Sequence, residues 1–156
     1  MSRAFVKESD GFEAEQVLPE LRISEHRNLV TARGLGLIEA EVRRLESALS
    51  DARAAEEGVT IARLARDLRY WVARRSSAEV VPLPSDTTKV RFGTAVTLQR
   101  ADGIEVTYRI VGEDEAAPAE GRISYVSPLA RALLGHGTGQ TVPFAESEAE
   151  IIAISA

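Results

Sequence analysis

The sequence contains no cysteine, so it can form neither a disulfide framework nor a thiolate metal site. It also lacks an apolar run of about 18 residues, the length at which a segment becomes a candidate membrane-spanning helix. Its beginning, Met-Ser-Arg-Ala-Phe-Val-Lys-Glu, has no apolar core of the kind that a secretory signal peptide needs. We therefore expect a cytoplasmic protein without a membrane segment.

Residue sets that carry catalysis are also scarce. The two histidines, His26 and His136, are far apart in the sequence, and neither is near an obvious pair of carboxylates. We find no nucleophile–base set, no phosphate-binding Walker loop and no cluster of metal ligands. These absences predict no catalytic residue, no metal site and no cofactor of its own, so intrinsic catalysis is not expected.

The net charge of −5 is unevenly distributed. Residues 31–81 hold nine arginines against eight acidic residues, whereas residues 82–156 hold six basic residues against ten acidic ones. This balance argues against a strongly basic protein that binds duplex nucleic acid. The acidic C-terminal half favours a protein partner with basic surfaces, and a solvated surface explains it equally well.

Residues 31–81 carry two helical patterns, in which apolar residues recur every three or four positions. The first set is Leu35, Ile38, Val42, Leu45, Leu49 and Ala52, and the second is Ile61, Leu64, Leu68 and Trp71. Gly58 interrupts the run, and Thr60 is the predicted N-cap of the second helix. Because neither helix can bury its apolar stripe alone, the pattern predicts an antiparallel helical hairpin, a short coiled coil.

The pattern changes on both sides of the hairpin. Residues 1–30 show no sustained period and predict an irregular arm. After a hinge at Pro82 and Pro84, alternating strand-forming residues appear. They predict strands near 90–92, 95–98, 105–111, 122–125, 140–144 and 149–154, a turn at Asp102-Gly103 and a short helix at 129–134. The fold class is therefore α+β: a helical hairpin followed, over residues 82–156, by an antiparallel β domain with one short helix.

Two long segments of this β region are Tyr108-Arg-Ile-Val-Gly-Glu-Asp-Glu-Ala and Gly121-Arg-Ile-Ser-Tyr-Val-Ser-Pro-Leu-Ala-Arg-Ala-Leu-Leu-Gly135. Together with Phe92-Gly-Thr-Ala-Val96, they resemble the C-terminal domain of the GreA/GreB transcription elongation factors. Thr31-Ala-Arg-Gly-Leu-Gly-Leu37 is similar to the start of that family's first hairpin helix. The resemblance implies an FKBP-like β domain that docks at the rim of the secondary channel of bacterial RNA polymerase. It also implies that the hairpin enters this channel.

The tip of the predicted hairpin departs from the family pattern. In the family, acidic tip residues help to hold a catalytic Mg²⁺ in the polymerase and stimulate cleavage of backtracked RNA. The usual Gly-Asp-Leu-x-Glu-Asn-Ala-Glu-Tyr type of segment is absent, and Asp51, Glu56 and Glu57 are the candidate tip acids. The hairpin is also shorter than the family's, since a first helix of about 22 residues reaches only ~33 Å. The tip acids would meet Mg²⁺ only in the polymerase active site. The alternative to a role in metal binding is that these residues form an ordinary polar turn.

The resemblance also implies contact surfaces for the polymerase. The main one is a corner formed by four residues, Tyr125, Val126, Ser127 and Pro128. In the family an acidic or amide residue often stands at the position of Val126, so Val126 argues against polar contacts there and leaves apolar docking open. Ser127 and Pro128 are in any case a helix start. The acidic loop with Asp114 and Glu115 is a second candidate contact, and an ordinary exposed turn is its alternative.

The second helix carries a candidate basic face made of Arg63, Arg66 and Arg69. In the channel these residues could touch nascent RNA, DNA or acidic polymerase residues. The alternative is a solvated helix face whose arginines pair with neighbouring acids.

We arrive at three hypotheses. The first is a monomer that binds core RNA polymerase at the secondary channel and modulates transcription elongation, without stimulating transcript cleavage. The second is a competitor of Gre factors, similar to the short-hairpin relative Rnk. The third is an FKBP-like prolyl isomerase or chaperone, which the fold alone suggests. That activity needs an aromatic-lined pocket, and aromatic residues make up only 5% of the chain.

Overall fold

The computed structural model describes residues 18–156, so the first part of the predicted arm lies outside the described residues. Residues 18–28 form neither helix nor strand. The chain then enters strand β1 (Leu29–Val30), which pairs in parallel with strand β2 (Glu79–Val80). Because β1 precedes the hairpin and β2 follows it, this small sheet holds the two ends of the hairpin together.

The hairpin consists of helix α1 (Ala32–Ala54) and helix α2 (Gly58–Ser77), which pack along each other. The Thr31 hydroxyl caps α1 by accepting the backbone N–H of Gly34 at 2.9 Å. Most of the predicted α1 stripe is buried, namely Ile38, Val42, Leu45, Leu49 and Ala52. Trp71 packs against the part of this stripe that Leu45, Leu49 and Ala52 form together with Leu64. The predicted hairpin is confirmed.

The start of α2 differs from the prediction. Thr60 lies inside the helix, and the N-cap is Glu57, which makes no side-chain cap hydrogen bond. The two helices are joined only by Ala55–Glu57, and Glu56 adopts a left-handed φ of 55°. The Glu57 N–H donates to the Ala52 carbonyl at 3.1 Å, so the end of α1 is closed by the link itself. Gly58 is therefore the first residue of α2 rather than a break before it.

The β domain is a curled, mixed sheet of five strands in the order β5-β4-β3-β7-β6. Its strands are β3 (Ala95–Arg100), β4 (Glu105–Val111), β5 (Arg122–Ser124), β6 (Thr141–Phe144) and β7 (Ser147–Ser155). All neighbours are antiparallel except β4 and β5. These two run parallel because the chain crosses over between them through two 3₁₀ turns, Glu113–Glu115 and Pro118–Glu120.

One predicted strand is wrong. Residues 90–92 do not form a strand, because a turn closes over Arg91–Thr94: the Thr94 hydroxyl donates to the Arg91 carbonyl at 2.8 Å, and Gly93 has φ 89°. Val90 is nevertheless buried, and it exchanges backbone hydrogen bonds with the loop that follows helix α3 (Pro128–Leu133). The predicted Asp102-Gly103 turn is confirmed, with Gly103 at φ 82°.

In the part of the chain that the structure describes, apolar side chains form two separate clusters, and no residue belongs to both. The cluster of the β domain joins the inner face of the sheet to α3 and includes Leu98, Ile110, Leu133 and Ile151. The cluster of the hairpin joins α1 to α2 and is built on Leu45, Leu49, Ala52 and Leu64. Within residues 18–156, no helix is long and apolar enough to cross a membrane.

Candidate functional site

The hairpin meets the β domain at the 3₁₀ turn Glu113–Glu115, which we call the acidic turn. Each of its three carboxylates contacts a different segment of the chain. Glu113 accepts a hydrogen bond from the Ser24 hydroxyl at 3.0 Å, Asp114 pairs with Arg74 of α2, and Glu115 pairs with Arg33 of α1. The acidic turn therefore binds the segment before the hairpin and the base of both helices.

Arg74 is the largest fully buried side chain of the described residues, and its side chain is 2% exposed. Its Nε donates to Asp114 Oδ2 at 2.7 Å, and its Nη2 donates to Asn28 Oδ1 at 2.8 Å. Asn28 in turn donates to the Arg74 carbonyl at 2.7 Å. The Tyr70 hydroxyl donates to Asp114 at 3.4 Å, and burial together with the Asp114 charge raises the pKa of Tyr70. The Arg74 guanidinium is therefore bound by Asp114 and by Asn28, and the Asp114 carboxylate neutralises its charge.

Glu115 is held against the start of α1, and its side chain is 3% exposed. Arg33 Nη1 lies 3.0 Å from Glu115 Oε1, and the Thr31 hydroxyl donates to Glu115 Oε2. A Cβ at Gly34 would lie 2.8 Å from that same oxygen. A glycine in the first turn of α1 thus lets the carboxylate come close to the helix.

The segment before the hairpin is fixed by polar contacts as well. Arg27 pairs with Glu79 of β2, with Nη2 and Oε2 2.5 Å apart, and the Arg27 carbonyl accepts a hydrogen bond from the Tyr125 hydroxyl. The Tyr125 ring packs edge-on against Phe92, with ring centroids 5.6 Å apart. Burial, reinforced by the charge of Glu113, raises the pKa of Tyr125. The predicted corner is therefore joined to the base of the hairpin.

The corner Tyr125–Pro128 lies between β5 and α3. The Ser127 hydroxyl caps α3 by accepting the Ala130 N–H at 3.3 Å, and Pro128 is the first residue of that helix. Val126 is half-buried, and Pro128 is exposed. The polar groups of Tyr125 and Ser127 are thus used within the chain, and the corner offers mainly apolar surface to the outside.

The predicted tip acids lie at the far end of the hairpin. Asp51 is in the last turn of α1, and Glu56 and Glu57 form most of the link to α2. All three are exposed, and Val59, two residues after Glu57, is 82% exposed. Across residues 18–156 there is no group of three acidic or histidine side chains arranged to hold a metal ion. The tip therefore fits a partial ligand set rather than a metal site of its own.

The predicted basic face is largely compensated by acidic side chains. Arg66 pairs with Asp67 at 2.7 Å, and Arg69 pairs with Glu20 at 2.5 Å. Arg63 is exposed and has no carboxylate within 4 Å in the described part of the chain. Only Arg63 of the three presents an uncompensated charge there.

Comparisons with known proteins decide the family. Residues 85–156 match the family model for the C-terminal domain of transcription elongation factors GreA/GreB. The transcription elongation factor GreA of Methylobacterium nodulans is 33% identical over 156 residues, covering 81% of this chain and 95% of the relative. The chain belongs to the GreA/GreB family.

Other members match over shorter lengths. The GreA of Anaeromyxobacter is 44% identical over 94 residues, which cover 56% of this chain and 55% of the relative. The chain thus spans about half the length of that curated relative. A solved GreA/GreB structure from Nitrosomonas europaea covers 82% of this chain and 98% of its own at 20% identity, with a TM-score of 0.43. A structural match at this level carries no argument about function.

In this GreA/GreB family member, the predicted corner lies at the start of α3 and the predicted tip acids lie at the far end of the hairpin, and the acidic turn differs from the expectation. The expectation of an exposed acidic loop is wrong, because Asp114 and Glu115 turn toward arginines at the base of the hairpin. Their role as polymerase contacts stays a prediction. Reasoning from the sequence also missed Arg74 as a buried residue, because nothing in the sequence separates it from the other arginines of α2.

Proposed function

We propose that this chain binds bacterial RNA polymerase, projects its hairpin into the secondary channel and modulates transcription elongation without stimulating transcript cleavage. It acts as a monomeric accessory factor, not as an enzyme, and this role implies the cytoplasm. The observation that carries the proposal is the family match over residues 85–156, which contains the whole five-stranded sheet and the corner Tyr125–Pro128.

The β domain binds the polymerase through the corner. The Tyr125 hydroxyl donates inward to the Arg27 carbonyl, and the Ser127 hydroxyl caps α3 by accepting the Ala130 N–H, so each of these groups already makes one hydrogen bond within the chain. Val126 and Pro128 remain as the outward apolar side chains. Burying such side chains against an apolar patch contributes favourably to binding, because about 25 cal/mol is gained per Å² of apolar surface removed from water.

The tip supports modulation rather than cleavage. Helix α1 has 23 residues, which corresponds to a reach of about 35 Å. Asp51 is set back by one turn from Glu56 and Glu57, and Glu56 is held in a left-handed conformation. Carboxylates must lie within about 2–2.5 Å of an ion to ligate it, so a short hairpin with dispersed acids is poorly suited to recruit Mg²⁺. The hairpin would then narrow the channel instead of completing its metal site.

Arg63 is the residue of the basic face that is placed to contact nascent RNA or DNA. Arg66 and Arg69 are already paired with Asp67 and Glu20. An isolated exposed cation contributes a weak, salt-dependent attraction to phosphate. Nucleic acid is therefore a secondary partner in this proposal.

Competition with Gre factors is the second candidate function. It uses the same corner and the same hairpin, and the three-residue link Ala55–Glu57 in place of an acidic tip motif favours it. The prolyl-isomerase hypothesis gains no comparable support. Phe92, Tyr108, Tyr125 and Phe144 all pack against the core of the β domain instead of lining an open pocket.

The test combines a binding measurement on core polymerase with an RNA-cleavage assay on stalled elongation complexes. We expect saturable binding, a changed elongation rate and no stimulated cleavage. If the chain strongly stimulates RNA cleavage, and the triple variant Asp51→Ala, Glu56→Ala, Glu57→Ala abolishes that stimulation, the chain is a cleavage factor and the proposal is wrong on this point. Absence of binding would remove the proposal altogether. Displacement of a Gre factor without any change in elongation rate would favour the competitor.

A matched pair of variants tests the corner. Val126→Lys places a charge on the proposed apolar contact, and we expect it to weaken polymerase binding about tenfold or more. Ile104→Lys makes the same kind of change at an exposed apolar residue between β3 and β4, and it should leave binding unchanged. Equal effects of the two variants would exclude the corner as the contact.

A further inference from the structure

We propose that Arg74 is a positioning residue, whose buried pairing with Asp114 fixes the direction in which the hairpin projects from the β domain. The inference rests on the proposed function, because direction matters only if the tip must enter an opening while the β domain is docked. The surrounding structure supports it in three steps.

The first step is the separation of the two apolar clusters. The cluster of the hairpin and the cluster of the β domain share no residue. A continuous apolar core would fix the orientation of the two parts by shape alone, since protein interiors are close-packed. Val30 and Val111, which are buried beside this joint, belong to neither cluster, and the directional contacts at the base of the hairpin are the polar ones to the acidic turn, Glu113–Glu115.

The second step is the geometry of the guanidinium. Its Nε faces Asp114 and its Nη2 faces Asn28, so two groups on different segments are bound by one rigid, planar fork. Glu113 Oε2, which is buried and has no hydrogen-bond partner among residues 18–156, lies 3.7 Å from the same Nη2. Because the planar guanidinium is hydrogen-bonded on two edges, it restricts the rotation of α2 relative to the acidic turn as well as the distance between them. A lysine ammonium at this position would provide charge without that rotational constraint.

The third step is the second attachment. Arg33 of α1 reaches Glu115, the neighbour of Asp114, so both helices of the hairpin are tied to the same turn. The two ties differ in burial, because the Arg33 side chain is 55% exposed whereas that of Arg74 is 2% exposed. Water screens the outer pair more than the inner one, and the inner pair therefore dominates the orientation.

Spin labelling measures the orientation directly. Because the chain has no cysteine, Ser50→Cys near the tip and Ser147→Cys at the start of β7 would be the only two labelled sites. Pulsed electron resonance on the full chain should give one narrow distance distribution. We expect Arg74→Lys to broaden or shift that distribution. The matched control is Arg69→Lys, the same change in an exposed ion pair of the same helix, which should leave it unaltered.

Function provides the second readout. With Arg74→Lys, affinity for core polymerase should stay within about twofold, while the effect on elongation falls about tenfold. Should this variant lose its fold, Asp114→Asn replaces it, since it keeps the shape of the acceptor and removes its charge; the same broadening is expected. An unchanged distance distribution would overturn the inference. Equal losses of polymerase affinity and of the effect on elongation would also overturn it. If the unsubstituted chain fails to bind polymerase, the proposed function fails, but the distance measurement still decides the role of Arg74.

Discussion

Gly112 provides the sharpest test of how the acidic turn is packed. A Cβ at this position would lie 2.3 Å from the Leu29 carbonyl oxygen, whereas carbon and oxygen normally approach to about 3.3 Å. In Gly112→Ala the backbone must therefore move by about 1 Å, and Leu29 cannot yield freely because β1 is paired with β2. Overpacking of this kind costs about 1–3 kcal/mol. For a chain of this length, each kcal/mol lowers Tm by about 2–4 °C.

The assay is thermal and urea unfolding, followed by circular dichroism and by the fluorescence of Trp71, the only tryptophan. The control is Gly36→Ala in α1, where an added Cβ meets nothing within 4 Å. Removing a glycine from the middle of a helix should raise the free energy of unfolding by about 0.5–1 kcal/mol. A Gly112→Ala variant as stable as the unsubstituted chain would refute the close approach of β1 to the acidic turn.

Three further outcomes are expected. Leu45→Ala should lower the free energy of unfolding by about 2–5 kcal/mol, because Leu45 is buried in the hairpin cluster, whereas Leu37→Ala on the exposed face should cost far less. Ser127→Ala should cost about 0.5–2 kcal/mol through loss of the α3 cap, and hydrogen exchange should quicken first in that helix. Burial and nearby carboxylates raise the pKa of Tyr70 and of Tyr125, which favours the neutral phenols of the folded state. Their stabilising contribution should be complete below the usual pKa of about 10 and disappear as pH rises through the folded-state values. In an absorbance titration, Tyr70→Phe and Tyr125→Phe should each remove a late component, and an unchanged titration would contradict the assignment.

Regular patterns made the architecture predictable. The three- and four-residue spacing from Ile38 to Ala52 belongs to a helix with one buried stripe, and the structure buries that stripe. The Asp102-Gly103 turn was also readable, because glycine tolerates the left-handed φ that the hairpin needs. The strand predicted at residues 90–92 is wrong because Val and Phe favour strands in general, whereas here the Thr94 hydroxyl closes a turn by hydrogen-bonding to the Arg91 carbonyl.

The joint between hairpin and β domain was not predictable from local sequence. Arg74 is one of several arginines on α2, and only the folded chain brings Asp114 and Asn28, which are 40 and 46 residues away, against its guanidinium. From the sequence alone, an acidic stretch such as Glu113–Glu115 predicts a solvated loop, because the side chains that pair with it are known only from the fold. Local spacing therefore predicts the helices and strands, and contacts between distant segments determine where the charges lie.

Cross-linking from two positions tests the central claim most directly. A photoreactive group attached to Glu57→Cys at the tip, and in a second variant to Val126→Cys at the corner, would be activated on the full chain bound to core polymerase. We expect the corner to cross-link to the rim of the secondary channel and the tip to cross-link to the channel interior. Cross-links from the tip to the outer surface alone, or none from either position, would contradict it.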